Sequence, residues 1–232
     1  MSVIKNLYYS SVGKKYIMAI SGLCLLVFVI GHCLGNLQIF MGKEVINRYA
    51  HFLQSSKEVL WPVRIFLFTM LVLHLWTSIR LWFENRAARP IGYYGNPTPM
   101  ASAFASRNMM FMGIVLGCFL VYHILHYTVQ VSDINLIGKD FSGAEFQIEH
   151  QKDVYKMVVN GFSHPLVSLF YVLGVGGLCF HISHGAHSLF QSIGINSQYY
   201  RRILEKGATV LAIILFIGYV SIPVSVLTGI LK

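Results

Sequence analysis

Apolar residues in this sequence are gathered into five long blocks, which shorter polar stretches separate. A helix needs about 20 consecutive apolar residues to cross the hydrocarbon core of a bilayer, and every block is long enough. None of the blocks contains Asp or Glu. The pattern therefore predicts five membrane-spanning helices, at about residues 16–41, 62–83, 107–130, 163–190 and 207–231.

The composition supports this interpretation, since 55% of the 232 residues are hydrophobic and only 12% are charged. The first block follows Lys14 and Lys15, as in a secretory signal peptide, but it stays apolar beyond signal length and has no small-residue cleavage site. The longest connections, 84–106 and 131–162, are too short for separate domains. We therefore expect residues 1–232 to form one all-α domain, an integral membrane five-helix transmembrane bundle whose spans are joined by small soluble loops.

The charged residues indicate an orientation for this bundle. If the N-terminus is cytoplasmic, ten cations and two acids lie inside while eight cations and seven acids lie outside, giving net charges of +8 and +1. Because Lys and Arg are in excess on the cytoplasmic side of membrane proteins, we expect a cytoplasmic N-terminus and an outside C-terminus. The cations sit beside the spans, where they suit anionic lipid. They form no contiguous basic domain of the kind that binds nucleic acid.

A histidine lies deep within each of the first four predicted spans. A helix rises about 1.5 Å per residue, and counting from the inner end of each span puts His32 level with His123. The same count puts His74 level with His181, about 10 Å nearer the inside. Two level pairs of imidazoles would hold two haems, each iron taking one nitrogen from either side. Iron ligated in this way passes electrons and does not bind oxygen.

Glycines near these histidines would leave room for a flat macrocycle, although glycine also lets membrane helices approach closely. The glycines concerned are Gly31, Gly35, Gly117, Gly174, Gly176 and Gly177.

Other interpretations of the histidines remain open. A polar residue within a span is often a hydrogen-bonding contact between helices, which would suit a haem-free structural or transport protein. A divalent-metal transporter would usually add carboxylates, and the predicted spans have none. On the fourth span, His184 lies one turn from His181 and competes with it as the ligand.

Several motifs are spread along the chain: SSVGKKYIMAISGL near the N-terminus, IGHCLGN on the first span, AHFL just after it, VLHL on the second, VYHILHYT on the third and CFHISHG on the fourth. In these motifs the chain resembles the dihaem cytochrome b558-type membrane anchor of succinate dehydrogenase and fumarate reductase, the succinate:quinone oxidoreductases of respiratory complex II. The resemblance covers almost the whole sequence. It implies that His32 and His123 bind an outer haem b and that His74 and His181 bind an inner haem b.

The resemblance also implies partners. Anchors of this family lie in the bacterial cytoplasmic (inner) membrane and dock an iron–sulfur subunit, which carries an FAD flavoprotein with the dicarboxylate site. This chain has no Rossmann fingerprint and no iron–sulfur cysteine spacing, so we expect no catalytic dicarboxylate site on it. Its expected share is electron transfer to or from a quinone, menaquinone in this family. The direction of the reaction stays open, as does a cytochrome b subunit of the hydrogenase or formate dehydrogenase type.

A quinone pocket needs an apolar slot and hydrogen-bonding groups for the two carbonyls. The polar residues expected near the outer haem are Asn36, Asn47, His51, Gln54, Glu58, His126 and Gln130. Groups expected to pair with the propionates of the inner haem are His187, Lys14, Lys15 and Arg80. Some family members have a carboxylate beside the ligand on the fourth span as part of a proposed proton path. Cys179 and Ile182 stand near His181 here, so that path is not carried over.

Overall fold

A computed structural model of the chain describes residues 8–88, 108–195 and 197–232. These residues form seven α-helices, with bounds α1 Ser11–Leu37, α2 Lys43–Ser55, α3 Lys57–Ala87, α4 Met109–His123, α5 Val154–Ser163, α6 Pro165–Ser192 and α7 Gln198–Leu227. The predicted 84–106 connection lies outside the described residues beyond position 88, as do the cations Lys5, Arg89 and Arg107.

Five of these helices are long and apolar enough to cross a membrane, namely α1, α3, α4, α6 and α7. A 3₁₀ turn extends α1 to Met41, and a π-helical turn extends α4 to Val129. Each long helix coincides with one predicted span, which confirms the five apolar helical segments. The structure differs most at α7, which begins at Gln198 instead of 207. Arg201 and Glu205 form an i,i+4 ion pair of 2.9 Å there, so the polar start of the segment is helical as well.

The segments that follow α1 and α4 were predicted to be small loops, and this prediction was wrong. Residues 38–56 and 130–164, which we call the cap, contain helices α2 and α5 and a two-stranded antiparallel sheet of β1 Gln147–Ile148 and β2 Gln151–Lys152. This small sheet is also an exception to the all-α prediction. The cap has its own apolar core, in which Phe141, Phe146 and Met157 are buried. The polar composition of these segments gave no sign of helices or strands, because a core as small as that of the cap needs only a few apolar residues.

The carboxylate of Asp153 joins the two halves of the cap. Its Oδ1 accepts hydrogen bonds from Nδ2 of Asn47 (2.9 Å) and from the backbone N–H of Lys156 (3.1 Å), the latter as the N-cap of α5. Its Oδ2 lies 3.2 Å from Nζ of Lys43, and Oδ1 of Asn47 accepts from the N–H of Tyr155. Burial would raise the pKa of Asp153, but these hydrogen bonds and the Lys43 charge lower that pKa below its ordinary value.

The chain divides into two compact units. The first consists of Met1–Phe28, Val63–Gly113 and Phe180–Ala212, and the second of Val29–Pro62, Ile114–Cys179 and Ile213–Lys232. Within the first unit, the ammonium of Lys14 on α1 pairs with the carboxylate of Glu84 on α3. Within the second unit, the Tyr219 hydroxyl on α7 donates to the Val29 carbonyl on α1, at 2.7 Å. Polar contacts therefore join neighbouring helices in both units.

We expect Asp153→Ala to destabilise the cap by about 2 kcal/mol, because one substitution removes an N-cap and a buried hydrogen-bond acceptor. Asp153 should stabilise the cap at neutral pH, because the pKa of its carboxyl is lowered in the folded protein. This stabilisation is lost as the pH falls through that lowered pKa. Hydrogen exchange of the α5 amides in detergent measures the loss.

Asp140→Ala is the control, because the Asp140 carboxylate is exposed and accepts hydrogen bonds from Ser142 in its own turn. The effect of Asp140→Ala on the protection of the α5 amides should be much smaller than that of Asp153→Ala. Equal losses in the two variants would contradict the role of Asp153 as the link between α2 and α5.

Candidate functional site

Two pairs of histidine rings meet between long helices. In the first unit, His74 on α3 faces His181 on α6 with ring centroids 6.1 Å apart and ring planes at 71°. In the second unit, His32 on α1 faces His123 on α4 with centroids 5.9 Å apart and planes at 79°. These are the same two pairs that the depth count predicts. Iron ligation by them stays a prediction.

The separation of the rings matches two imidazoles on opposite sides of one metal ion. A metal–imidazole bond is about 2 Å long and roughly 1 Å more separates that nitrogen from the ring centroid, so the two centroids would lie about 6 Å apart. Among the described residues, no group of three or more His, Cys, Asp or Glu side chains is arranged to hold a metal ion. A haem needs only two protein ligands, because the porphyrin supplies the other four nitrogens.

His74 is oriented by a backbone group. Its Nδ1 lies 3.2 Å from the carbonyl oxygen of Met18 and 3.4 Å from Oγ of Ser21. A carbonyl can only accept, so Nδ1 carries the proton and Nε2 keeps its lone pair. Metal-ligating histidines are commonly held in this way. The opposing His181 differs, because its buried Nδ1 has no hydrogen-bond partner in the described part of the chain.

The Tyr171 hydroxyl on α6 lies between two histidines, His123 at the end of α4 and His126 in the π-helical turn that follows it. It is 3.3 Å from Nδ1 of His123 and 3.0 Å from Nδ1 of His126. His126 is completely buried, and its Nε2 has no partner among the residues described. Tyr171 was missed in the sequence because no local motif marks it. The depth count used for the histidines would have placed it level with His126.

The helix widens immediately after His123. Residues Ile124–Val129 form a π-helical turn, which ends where Gln130 adopts a left-handed conformation with φ 66°. Such turns are rare and often occur at functional sites. This one carries His126 and Tyr127, whose rings pack 4.1 Å apart. The turn has no signal in the sequence, which reads as one continuous apolar helix.

The remaining histidines of α6 face each other. His184 and His187 have ring centroids 4.9 Å apart, whereas His181 is the one that meets His74. The structure therefore favours His181 over the competing His184. His187 also approaches Glu205 of α7, with Nε2 3.8 Å from Oε1.

The predicted propionate partners have other contacts as well. Lys14 is buried and pairs with Glu84, while Nη2 of Arg80 lies 3.8 Å from the same carboxylate. Lys15 is exposed. The sequence did not identify Glu84 as a partner, because it lies 70 residues from Lys14.

The predicted quinone residues do not converge on one cavity. Asn36 donates from its amide to the His32 carbonyl of its own helix, at 2.7 Å. Gln130 is buried, accepts from Lys152 at 2.7 Å and donates to the Met157 sulfur. Of the others, His126 contacts Tyr171, Asn47 belongs to the Asp153 cluster, and His51, Gln54 and Glu58 are exposed.

An apolar groove of about 470 Å³ opens in the second unit, between α4, α6 and the cap. Tyr122 and Phe170 line it with ring centroids 4.7 Å apart, and Leu166 and the exposed carboxylate of Asp133 complete its walls. The Tyr122 hydroxyl donates to the Ile134 carbonyl at 2.9 Å. Pockets for small ligands are roughly 300–1,000 Å³ in volume, and this groove has that size.

The six glycines have different surroundings. A Cβ at Gly31 or Gly117 would meet nothing within 4 Å. Gly31 is exposed, so the space beside it lies at the surface of the chain. Gly35 instead accommodates the Tyr49 ring, and Gly174 accommodates the Phe119 ring. For these two positions, the expectation of room for a macrocycle is corrected: an aromatic side chain uses the space. Gly176 and Gly177 make only ordinary contacts, at 3.8 Å.

Comparisons with protein-family models, curated proteins and solved structures find no match for this chain. Function must therefore be inferred from the residues themselves.

We expect Gly174→Ala to destabilise the second unit, because a Cβ there would overlap the buried Phe119 ring, which stacks on His123. Overpacking of this kind costs about 1–3 kcal/mol, and each kcal/mol lowers the thermal midpoint by about 2–4 °C in a protein of this size. Thermal unfolding in detergent measures the change. Gly176→Ala on the same helix is the matched control, and a midpoint equal in both variants would refute the close packing.

Proposed function

We propose that this chain is the membrane anchor and dihaem electron-transfer subunit of a succinate:quinone oxidoreductase. The observation that carries the proposal is the meeting of four histidines from long apolar helices in two pairs, with ring centroids 5.9 and 6.1 Å apart. The resemblance of the motifs around these histidines to the cytochrome b558-type anchor supports the choice of enzyme. An iron–sulfur subunit and an FAD flavoprotein are the proposed partners.

Two haems b fit the residues present. His32 and His123 would hold one haem, and His74 and His181 the other. When bound with both axial positions filled, haem b accepts and donates one electron at a time. A Cβ at Gly117, on the same helix as His123, would meet nothing within 4 Å, which leaves space for a flat ring system there.

The protein side chains would orient the ligands and exclude water. The Met18 carbonyl fixes the proton of His74 on Nδ1, so that Nε2 is available to a metal. Apolar helices surround each pair and keep the local dielectric constant low. In the first unit, Lys14 and Arg80 both lie near the carboxylate of Glu84. That carboxylate balances part of their positive charge, which the propionates of the inner haem would otherwise neutralise.

The groove at Tyr122 and Asp133 is the proposed quinone site, with menaquinone as the substrate. Tyr122 directly precedes His123 in α4, so the groove belongs to the same unit as the outer pair. The apolar walls suit the quinone ring and its tail. A hydroxyl of the reduced quinone would donate its proton to the Asp133 carboxylate, which is exposed and can pass that proton to water.

We expect two haems per chain in the purified protein. His74→Ala and His181→Ala should each remove the same haem and spare the other, whereas His32→Ala and His123→Ala should remove the second. A pyridine haemochrome spectrum with protein quantitation counts the haems. His150→Asn, at an exposed turn of the cap, should keep both.

A chain without haem would reject the electron-transfer proposal in favour of a structural or transport protein. Loss of one haem from each pair in a single variant would refute the pairing. Succinate-dependent quinone reduction by the co-purified complex separates this anchor from a hydrogenase or formate dehydrogenase subunit.

We expect Leu166→Trp to fill the groove and raise the KM for quinone about tenfold, while both haems and the reduction of an artificial acceptor by succinate are retained. Leu173→Trp is the matched control on the same helix, because Leu166 and Leu173 are similarly exposed, at 62% and 64%, and only Leu166 lines the groove. Equal KM values in the two variants would place the quinone elsewhere.

A further inference from the structure

Tyr171 is a single hydroxyl shared by two histidines, and its hydrogen-bonding capacity is limited. A tyrosine hydroxyl donates one hydrogen bond and accepts others. It lies 3.3 Å from Nδ1 of His123 and 3.0 Å from Nδ1 of His126. At most one of these nitrogens can accept the hydroxyl proton, so the other must donate if both contacts are hydrogen bonds.

The proposed function, on which this inference rests, decides the direction. If His123 binds iron through Nε2, its proton lies on Nδ1 and donates to the Tyr171 oxygen. The Tyr171 proton then donates to Nδ1 of His126, the nearer of the two nitrogens. His126 is left with its own proton on Nε2. A directed chain of hydrogen bonds thus runs from His123 through Tyr171 to His126.

We infer that Tyr171 is a positioning residue for His123 and lowers the reduction potential of the outer haem. An acceptor on Nδ1–H makes an imidazole a stronger electron donor through its other nitrogen, which favours ferric iron. The bond from Tyr171 to His126 polarises the hydroxyl and strengthens it as an acceptor. Tyr171 is also held firmly in place, because only 6% of its surface is exposed. The centroid of its ring lies 5.4 Å from that of Phe119 and 4.9 Å from that of Phe162.

The test is a redox titration by absorbance of the purified complex, with the outer haem identified as the one lost in His32→Ala. Tyr171→Phe keeps the ring and removes the hydroxyl. We expect it to shift the ferric-to-ferrous equilibrium of the outer haem at least threefold toward ferrous iron and to leave the inner haem unchanged; a tenfold shift equals about 59 mV for one electron. The low-temperature EPR signal of the outer haem should also change, because it depends on the orientation of the imidazole planes.

Tyr219→Phe is the matched control. The Tyr219 ring lies 6.3 Å from the ring of His32, yet its hydroxyl donates to the Val29 carbonyl. Loss of this hydroxyl should leave the outer potential unchanged. An equal shift in the Tyr171→Phe and Tyr219→Phe variants would mean that general packing, not the Tyr171 bond, sets the potential.

A second pair of variants tests the chain if Tyr171→Phe is unstable. His126→Leu removes the acceptor of the Tyr171 proton and should raise the outer potential by less than the loss of Tyr171 does. His126→Gln offers an amide oxygen in its place and should restore most of the difference. A protein without haem would overturn both this inference and the proposed function. Two haems with an outer potential unaffected by Tyr171→Phe and His126→Leu would overturn this inference alone.

Discussion

A neutral imidazole placed among apolar helices has two ring nitrogens to satisfy, and the apolar side chains around it offer neither a donor nor an acceptor. This constraint governs the arrangement of the long helices. One nitrogen of His74 is hydrogen-bonded to the Met18 carbonyl, and one nitrogen of His123 contacts the Tyr171 hydroxyl. Each of these rings also meets a second histidine, His181 or His32, with ring centroids 6.1 and 5.9 Å apart. A metal ion between the two rings would accept a lone pair from one nitrogen of each imidazole. The proposed haems would therefore explain why the histidines meet in pairs.

The same constraint limits which residues can serve the site. His184 and His187 face each other near Glu205, at the more polar end of α6. Of these two, His187 has the Glu205 carboxylate within 3.8 Å of its Nε2. His181 instead meets the ring of His74, and its Nδ1, like that of His187, is buried without a hydrogen-bond partner in the described chain. The four histidines of the two pairs are therefore distinguished from the others by meeting a second imidazole from another long helix.

The sequence predicted the features that follow from fixed helical geometry. Span length depends on bilayer thickness and on the rise of the helix, so five apolar blocks gave five helices. The constant rise also let the depth of His32 and His123 be compared across helices. Features that depend on contacts between distant residues were not predictable. Asn47 and Asp153 are 106 residues apart and build the cap, while the π-helical turn after His123 arises within an apolar stretch that has no breaker.

The ion pair of Lys14 with Glu84 has a consequence for biogenesis. Lys14 is buried in the finished protein, yet its partner is synthesised 70 residues later. A buried ammonium without its counter-charge is strongly unfavourable, so the start of α1 cannot take its final packing before Glu84 has been synthesised. The packing of the first long helix is thus completed only when α3 supplies the carboxylate that its lysine needs.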